Sequence, residues 1–343
     1  EMADAISDQV IKLPFTSPFT NSTQPSAILS KKIADMAPGD LNNVFFTTGG
    51  STAVDTALRT MQYFNNRRGL PEKKMIIARE KGYHGSTYLA HSVTGKERDK
   101  SHFDFATNLV QFLPDVNPYI RPDGMSIEDW CDAKVEDLRK MINQIGADKI
   151  GAFIAEPILS SGGVIVPAKG YQKRTWEICR ENDILYISDE VVTGFGRLGH
   201  WFASEEVFEI IPDMITCAKG LTSGYLPLGA CIISDRVLEI ASQGDEPSAF
   251  TNGYTYSAHP VSCAAALKNI EIFNNNLDIN TNLAMWTRNT CKYGDNFVYL
   301  KLDPEKGVVG CMQLPNIEIE RVERGMKGKS NLDNNESEQK ALR

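Results

Sequence analysis

Ile184-Leu185-Tyr186-Ile187-Ser188-Asp189-Glu190 and Met214-Ile215-Thr216-Cys217-Ala218-Lys219-Gly220 are two short apolar runs, the first ending on acids and the second on a lone amine. In a protein of alternating strands and helices, the carboxyl ends of parallel strands open onto the ligand crevice. Both polar groups are therefore expected at one site. The surrounding sequence fits that architecture. Asn43-Val44-Phe45-Phe46 reads as a strand feeding Thr47-Thr48-Gly49-Gly50-Ser51-Thr52 and a helix over 53–66. Met75-Ile76-Ile77-Ala78 reads as a strand leading to a turn at Tyr83-His84-Gly85-Ser86. Further on, the spacing predicts helices over 126–145, 170–182 and 260–274, and strands at 150–155, 184–188, 213–217 and 229–233. Helical spacing also covers 1–13 and 26–37, while 95–125 reads as a long loop. Strands in alternation with helices predict an α/β fold, a mostly parallel sheet covered on both faces.

The chain has 343 residues, 42% of them hydrophobic, enough for one large domain and part of another. Its 36 basic and 44 acidic residues give a net charge of −8, so no basic excess points to nucleic acid or an anionic membrane. No apolar stretch approaches a membrane span, and Glu1-Met2-Ala3-Asp4 lacks the features of a signal peptide. A cytoplasmic location is expected. Seven cysteines without a C-x-x-C pair, and five histidines outside metal-ligand spacing, predict reduced core thiols and no structural metal. The character changes near residue 275. A cofactor-binding large domain is expected over 1–275 and a partial small domain over 276–343, with two short strands within 297–313 and a polar, disordered tail over the last twenty residues.

Four features carry chemistry. Gly49-Gly50-Ser51-Thr52 lies between a strand and a helix, where backbone N–H groups, a hydroxyl and the positive helix end converge on a place for an anion. The same residues read alternatively as an ordinary helix cap, or as a nucleophile elbow around Ser51 served by Asp189 and by His200 or His259. Asp189, or Glu190 beside it, offers a carboxylate, and Lys219 emerges in a permissive loop with Ser223-Gly224-Tyr225 beyond it. Tyr83, in a turn at a strand end, is placed to stack on a flat heterocycle. An amine and an acid delivered to one crevice suggest pyridoxal phosphate, whose aldehyde needs a lysine and whose ring nitrogen needs a carboxylate.

These residues also carry a resemblance. Phe45-Phe46-Thr47-Thr48-Gly49-Gly50-Ser51 with Asp55-Thr56-Ala57, Gly82-Tyr83-His84-Gly85-Ser86-Thr87, Ala155-Glu156-Pro157, Ser188-Asp189-Glu190-Val191, Gly194-Phe195-Gly196-Arg197, Ala218-Lys219-Gly220 and Gly253-Tyr254-Thr255-Tyr256-Ser257 resemble the class III aminotransferases, in order and spacing, across 1–275. The resemblance implies a fold-type I pyridoxal-phosphate-dependent transferase: a large α/β domain with a mixed, mostly parallel sheet flanked by helices, and a truncated small C-terminal domain. It implies Lys219 as the lysine that binds the cofactor's aldehyde and Asp189 as the partner of its ring nitrogen. Tyr83 and Val191 correspond to the residues on the two ring faces, and Gly50 and Ser51 to those holding the phosphate. Thr255 corresponds to the residue that reaches the phosphate of a neighbouring subunit, which implies a homodimer. The implied activity moves an amino group from an amine or omega-amino acid to a 2-oxoacid such as pyruvate. An aminomutase or a decarboxylase would keep the same motifs. Thr52 and Val54 depart from a Glu and an Asn common in the family, the resemblance implies that the family's N-terminal segment is missing, and past 275 the resemblance thins, leaving no arginine placed for a substrate carboxylate. A fragment that binds the cofactor weakly, with transamination slow or undetectable, is therefore expected.

Overall fold

Ile150–Ala155 is an unbroken run of six residues, every one buried, as expected of a strand covered on both faces. It forms the fourth of seven strands in one sheet: β1 (Asn43–Thr47), β2 (Met75–Arg79), β3 (Val110–Leu113), β4 (Ile150–Ala155), β5 (Leu185–Asp189), β6 (Met214–Cys217) and β7 (Gly229–Ile233). The computed structural model describes residues 1–243 and 250–275, and the backbone of 297–303 and 307–314. The strand order is β1-β7-β6-β5-β4-β2-β3. Neighbours from β6 through β3 run parallel, and β7 runs antiparallel to both β6 and β1. The expected mixed, mostly parallel sheet is thus observed.

Ten α-helices are described: α1 (Met2–Lys12), α2 (Gln24–Met36), α3 (Gly50–Arg67), α4 (Tyr88–Ser92), α5 (Glu97–Lys100), α6 (Ile127–Ile145), α7 (Tyr171–Glu181), α8 (Ser204–Phe208), α9 (Asp235–Ala241) and α10 (Pro260–Asn275). Side chains alternate across each strand, so the sheet feeds separate cores. Ala152, Ile154, Leu185 and Ile187 share one with Val54, Leu58 and Met61 of α3. Phe153 and Tyr186 share another with Leu138 of α6 and Ile178 of α7. A third joins Ile215 and Ile232 to Leu29 and Ile33 of α2 and to Ala266 and Ile270 of α10.

The expected loop over 95–125 is instead partly regular, because Val110-Gln-Phe-Leu adds β3 to the sheet edge beside β2. Four residues in polar surroundings leave almost no periodicity to read. The short α4, α5, α8 and α9 were likewise not anticipated. Helix α3 starts at Gly50 rather than at 53, which places Gly50 and Ser51 inside its first turn. The two strands expected within 297–313 are present as an antiparallel pair, β8 (Phe297–Asp303) and β9 (Gly307–Leu314). The expected polar tail lies outside the described residues. Among the described residues no helix is long and apolar enough to cross a membrane.

Lys100 fastens the segment that leads to β3. Its Nζ donates to Ser92 O at 3.1 Å and stands 4.2 Å from the ring centroid of Phe112 and 4.4 Å from that of Phe105. Burial pulls this ammonium down to about 8 from its ordinary value of 10.5. Between those values the unfolded chain binds more protons than the folded one, so stability rises with pH across that window. Urea midpoints measured from pH 8 upward are expected to show this slope in the wild type and a flatter curve in Lys100→Met; parallel curves would show that the ammonium is not desolvated.

Candidate functional site

The register of the sheet assembles the site. Ala155 of β4 lies opposite Ser188 of β5, and Asp189 opposite Thr216 of β6, so Glu156, Asp189 and the segment leading to Lys219 leave the sheet at one edge. Because β7 is antiparallel, its first residue, Gly229, returns to that same edge beside Thr47 of β1. There the chain encloses a cavity of about 580 Å³. Lys219, Asp189, Tyr83, Val191, Gly50 and Ser51 all line it. Thr255 does not. It is exposed, on a segment fixed against α3 by Tyr254 Oη donating to Thr52 O and Asn252 Nδ2 to Thr56 Oγ1.

Asp189 is 3% exposed and held from both sides. Its Oδ2 lies 2.7 Å from His84 Nδ1, while Oδ1 accepts from Thr216 Oγ1 at 3.0 Å and Val191 N at 3.2 Å. Glu190 is turned away into the protein. Its Oε1 accepts from Ser204 N and Oγ, and its Oε2 from Ala203 N and Thr193 Oγ1, so it anchors the start of α8. Of the two adjacent acids, only Asp189 lines the cavity. Burial raises the Glu190 carboxyl above its ordinary range against these donors.

Lys219 follows β6 at the start of a one-turn 3-10 helix, with φ at 33°. A lysine in that region is strained by roughly 1–3 kcal/mol and persists only where its surroundings over-determine it. Buried Asn269 of α10 supplies that restraint, donating to Gly220 O at 2.9 Å and Leu221 O at 3.1 Å. Lys219 is exposed and lines the cavity.

At the opposite wall, the first turn of α3 leaves backbone N–H groups without helical acceptors. Gly49 O is gripped by Ala53 N, Thr52 Oγ1 and Thr47 Oγ1. The second glycine turn closes over it: Ser86 N donates to Ser51 Oγ at 3.0 Å. A Cβ on Gly85, whose φ is 144°, would lie 2.6 Å from that same Oγ. Asp55 Oδ1 accepts from Ala90 N, tying α3 to α4, and Thr94 Oγ1 accepts from His84 N. Glu156 closes the floor, accepting from Tyr83 N through Oε1 and from Ser160 N and Oγ through Oε2. Desolvation raises the Glu156 carboxyl, opposed first by the charge of His84.

The residues present fit pyridoxal phosphate: one cavity is lined by the Gly49-Gly50-Ser51 turn, the Tyr83 ring, the Val191 side chain, the oriented carboxylate of Asp189 and the amine-bearing Lys219. They do not fit the nucleophile elbow. Neither His200 nor His259 lines the cavity with Ser51; His259 packs instead against Phe15 and Tyr256, and Asp189 is engaged by the His84 ring. His84, Thr216 and Asn269 are the site residues that sequence reasoning missed. The first stood in a quoted motif and the second in the quoted run before Lys219, whereas Asn269 gave no signal beyond a polar residue on a helix with an apolar stripe.

The chain matches the class III aminotransferase family over residues 1–298 and belongs to it. Among curated proteins it is 42% identical over 275 residues to a putrescine–pyruvate aminotransferase of Pseudomonas aeruginosa, an alignment that covers 79% of this chain and 59% of that protein. It is 39% identical to the mitochondrial gamma-aminobutyrate transaminase 1 of Oryza sativa subsp. indica, covering 79% and 53% respectively. Among solved structures, the (S)-enantioselective omega-transaminase of Thermomicrobium roseum superposes with a TM-score of 0.77 at 36% identity, over 79% of this chain and 60% of that one. The chain thus spans between half and two thirds of the length of these relatives.

Two substitutions separate the adjacent acids. In Asp189→Asn the retained oxygen still accepts from Thr216 and Val191, and His84 can change tautomer to face the amide. In Glu190→Gln an amide NH2 must face a donor whichever way it turns, a loss of about 2 kcal/mol. Chemical denaturation is expected to find Glu190→Gln the less stable variant, and the reverse order would reassign the acids. A Cβ at position 229 would sit 2.4 Å from Gly49 O and 2.8 Å from Thr47 Oγ1. Gly229→Ala is therefore expected to cost about 1–3 kcal/mol of stability and to weaken pyridoxal phosphate binding, measured by titration of the cofactor's absorbance.

Proposed function

We propose that this chain carries the cofactor site of an amine:2-oxoacid aminotransferase, moving an amino group from an amine or omega-amino acid to a 2-oxoacid such as pyruvate. The observation that carries the reading is the placement of Asp189 and Lys219 at neighbouring strand ends in one cavity that the Gly49-Gly50-Ser51 turn also lines. Bound pyridoxal phosphate supplies the aldehyde that takes the amino group and the ring that withdraws electrons. Lys219 would hold that aldehyde and serve as the base that moves a proton at the substrate carbon. Asp189, fixed by His84 and Thr216, would be the carboxylate partner of the ring nitrogen. Tyr83 and Val191 would cover the ring, and the first turn of α3 would hold the phosphate. Asn269 keeps the lysine's turn in place.

A cytoplasmic homodimer is part of the proposal. Among the described residues, five cysteines are free and buried. Tyr88, Tyr225 and Tyr256 expose large aromatic surface, and Thr255 stands outside its own chain's cavity, as a residue reaching a partner's phosphate requires. Residues 1–275 form the cofactor-binding domain in this reading, and 276–343 part of a smaller one.

The test is the visible spectrum of the purified protein with added pyridoxal phosphate, before and after borohydride, followed by peptide mapping. A chromophore fixed to Lys219 is the expected result. Label on Lys169 or another lysine, or a protein that stays colourless, would overturn the assignment. Turnover of the bound cofactor by an amine, and its return by pyruvate, separates an aminotransferase from an aminomutase or decarboxylase.

A further inference from the structure

A second cavity, of about 740 Å³, adjoins the first, and Ser161 lines both. Its walls carry Lys81, Lys96, Arg98 and Lys100 against Glu80 and Glu97. Three of these cations meet carboxylates: Lys81 pairs with Asp115, and Lys96 and Arg98 share Asp99 at 3.0 and 3.1 Å. Lys100 meets none among the described residues, only Ser92 O and the faces of Phe105 and Phe112. Its depressed value of about 8 is that of an ammonium lacking a counter-anion. Lys96 supplies the link to the catalytic cavity, since its Nζ lies 5.6 Å from the centroid of the Tyr83 ring. On the other side of the catalytic cavity, Leu226, Pro227 and Leu228 offer no charge.

We propose that this second cavity is the subsite for the distal carboxylate of an omega-amino acid, held between Lys96 and Lys100. The inference rests on the aminotransferase reading and narrows its substrate class. With the amino end of the substrate at Lys219, the tail passes Tyr83 and Ser161 and brings its carboxylate among the ammonium groups. Lys96 exchanges Asp99 for the substrate, and Asp99 keeps Arg98, so no carboxylate is left unpaired. A diamine would bring a second ammonium into the same place and be repelled. Two relatives are named for donors that differ in this respect, putrescine and gamma-aminobutyrate. The charges here favour the second.

The experiment compares gamma-aminobutyrate with butylamine, which lacks only the carboxylate, by following conversion of the bound cofactor in wild type, Lys96→Met and Lys100→Met. In each variant the ratio of kcat/KM for gamma-aminobutyrate over butylamine is expected to fall about tenfold or more, the size of one lost charged hydrogen bond. The fall is expected in KM rather than kcat. An unchanged ratio, or putrescine preferred over gamma-aminobutyrate by the wild type, would overturn the subsite. Conversion by no amine at all would overturn the aminotransferase reading instead. A separate titration of the holoprotein with butyrate then decides the subsite. Resonances of isotopically methylated lysines should report a rise in the Lys100 pKa that Lys96→Met abolishes, and no rise would overturn the proposal.

Discussion

Everything at the site depends on the register between β4, β5 and β6. Ala155 opposite Ser188 and Asp189 opposite Thr216 bring one acid, its hydroxyl partner and the root of the lysine turn to a single edge. Side chains alternate along a strand, so a slip of one residue would bury Asp189's neighbours in the wrong layer and turn the acid out of the cavity. The register is itself secured by apolar side chains remote from the chemistry: Ile154 and Ile187 on one face, Phe153 and Tyr186 on the other, all essentially inaccessible to water. Hydrophobic packing thus does the positioning, and the 2.7 Å contact between His84 and Asp189 completes it across the gap between β5 and the turn after β2.

The polar groups at this edge are satisfied in a consistent way. Each loop that leaves the sheet is held by a side chain from another element: Asn269 on the turn of Lys219, Asp55 on α4, Glu156 on Tyr83, Glu190 on α8. Buried hydrogen bonds of this kind contribute modest net stability but are costly to leave unmade, so they specify conformation more than they strengthen it. The strained backbone of Lys219 is tolerated inside this frame. A mobile loop would let the lysine relax to an ordinary helical φ and lose its direction.

The sheet was legible in the sequence because its central strands are continuous apolar runs between glycine-rich turns, and the cofactor cradle because glycine, serine and a helix start coincide at 49–52. The cavity-lining pair Lys219 and Asp189 could be named from their places after such runs. Less was legible where the signal is tertiary. The choice between Asp189 and Glu190 turns on which donors surround each carboxylate, and Ser204 and Ala203 are remote from Glu190 in sequence. The edge strand β3 was hidden because four residues paired on one side carry little pattern. The second cationic cavity was hidden because Lys96 and Lys100 lie in that same loop, where charged residues ordinarily read as solvated surface.

The antiparallel strand β7 has a consequence for the order in which the molecule comes together. It closes the sheet between β1 and β6, and Asn43 Nδ2 reaches Ile233 O across 190 residues of chain. On a ribosome, β1 and the first turn of α3 emerge early but cannot be locked into the sheet until residue 233 is available. Pairings that distant form late, because the loop entropy must be overcome before contacts reward it. During that interval the apolar edges of β1 and β6 stand open to other chains. Folding yield for this architecture is therefore governed by the last strand to arrive, and an anion that grips the α3 turn can act only after that strand has come home.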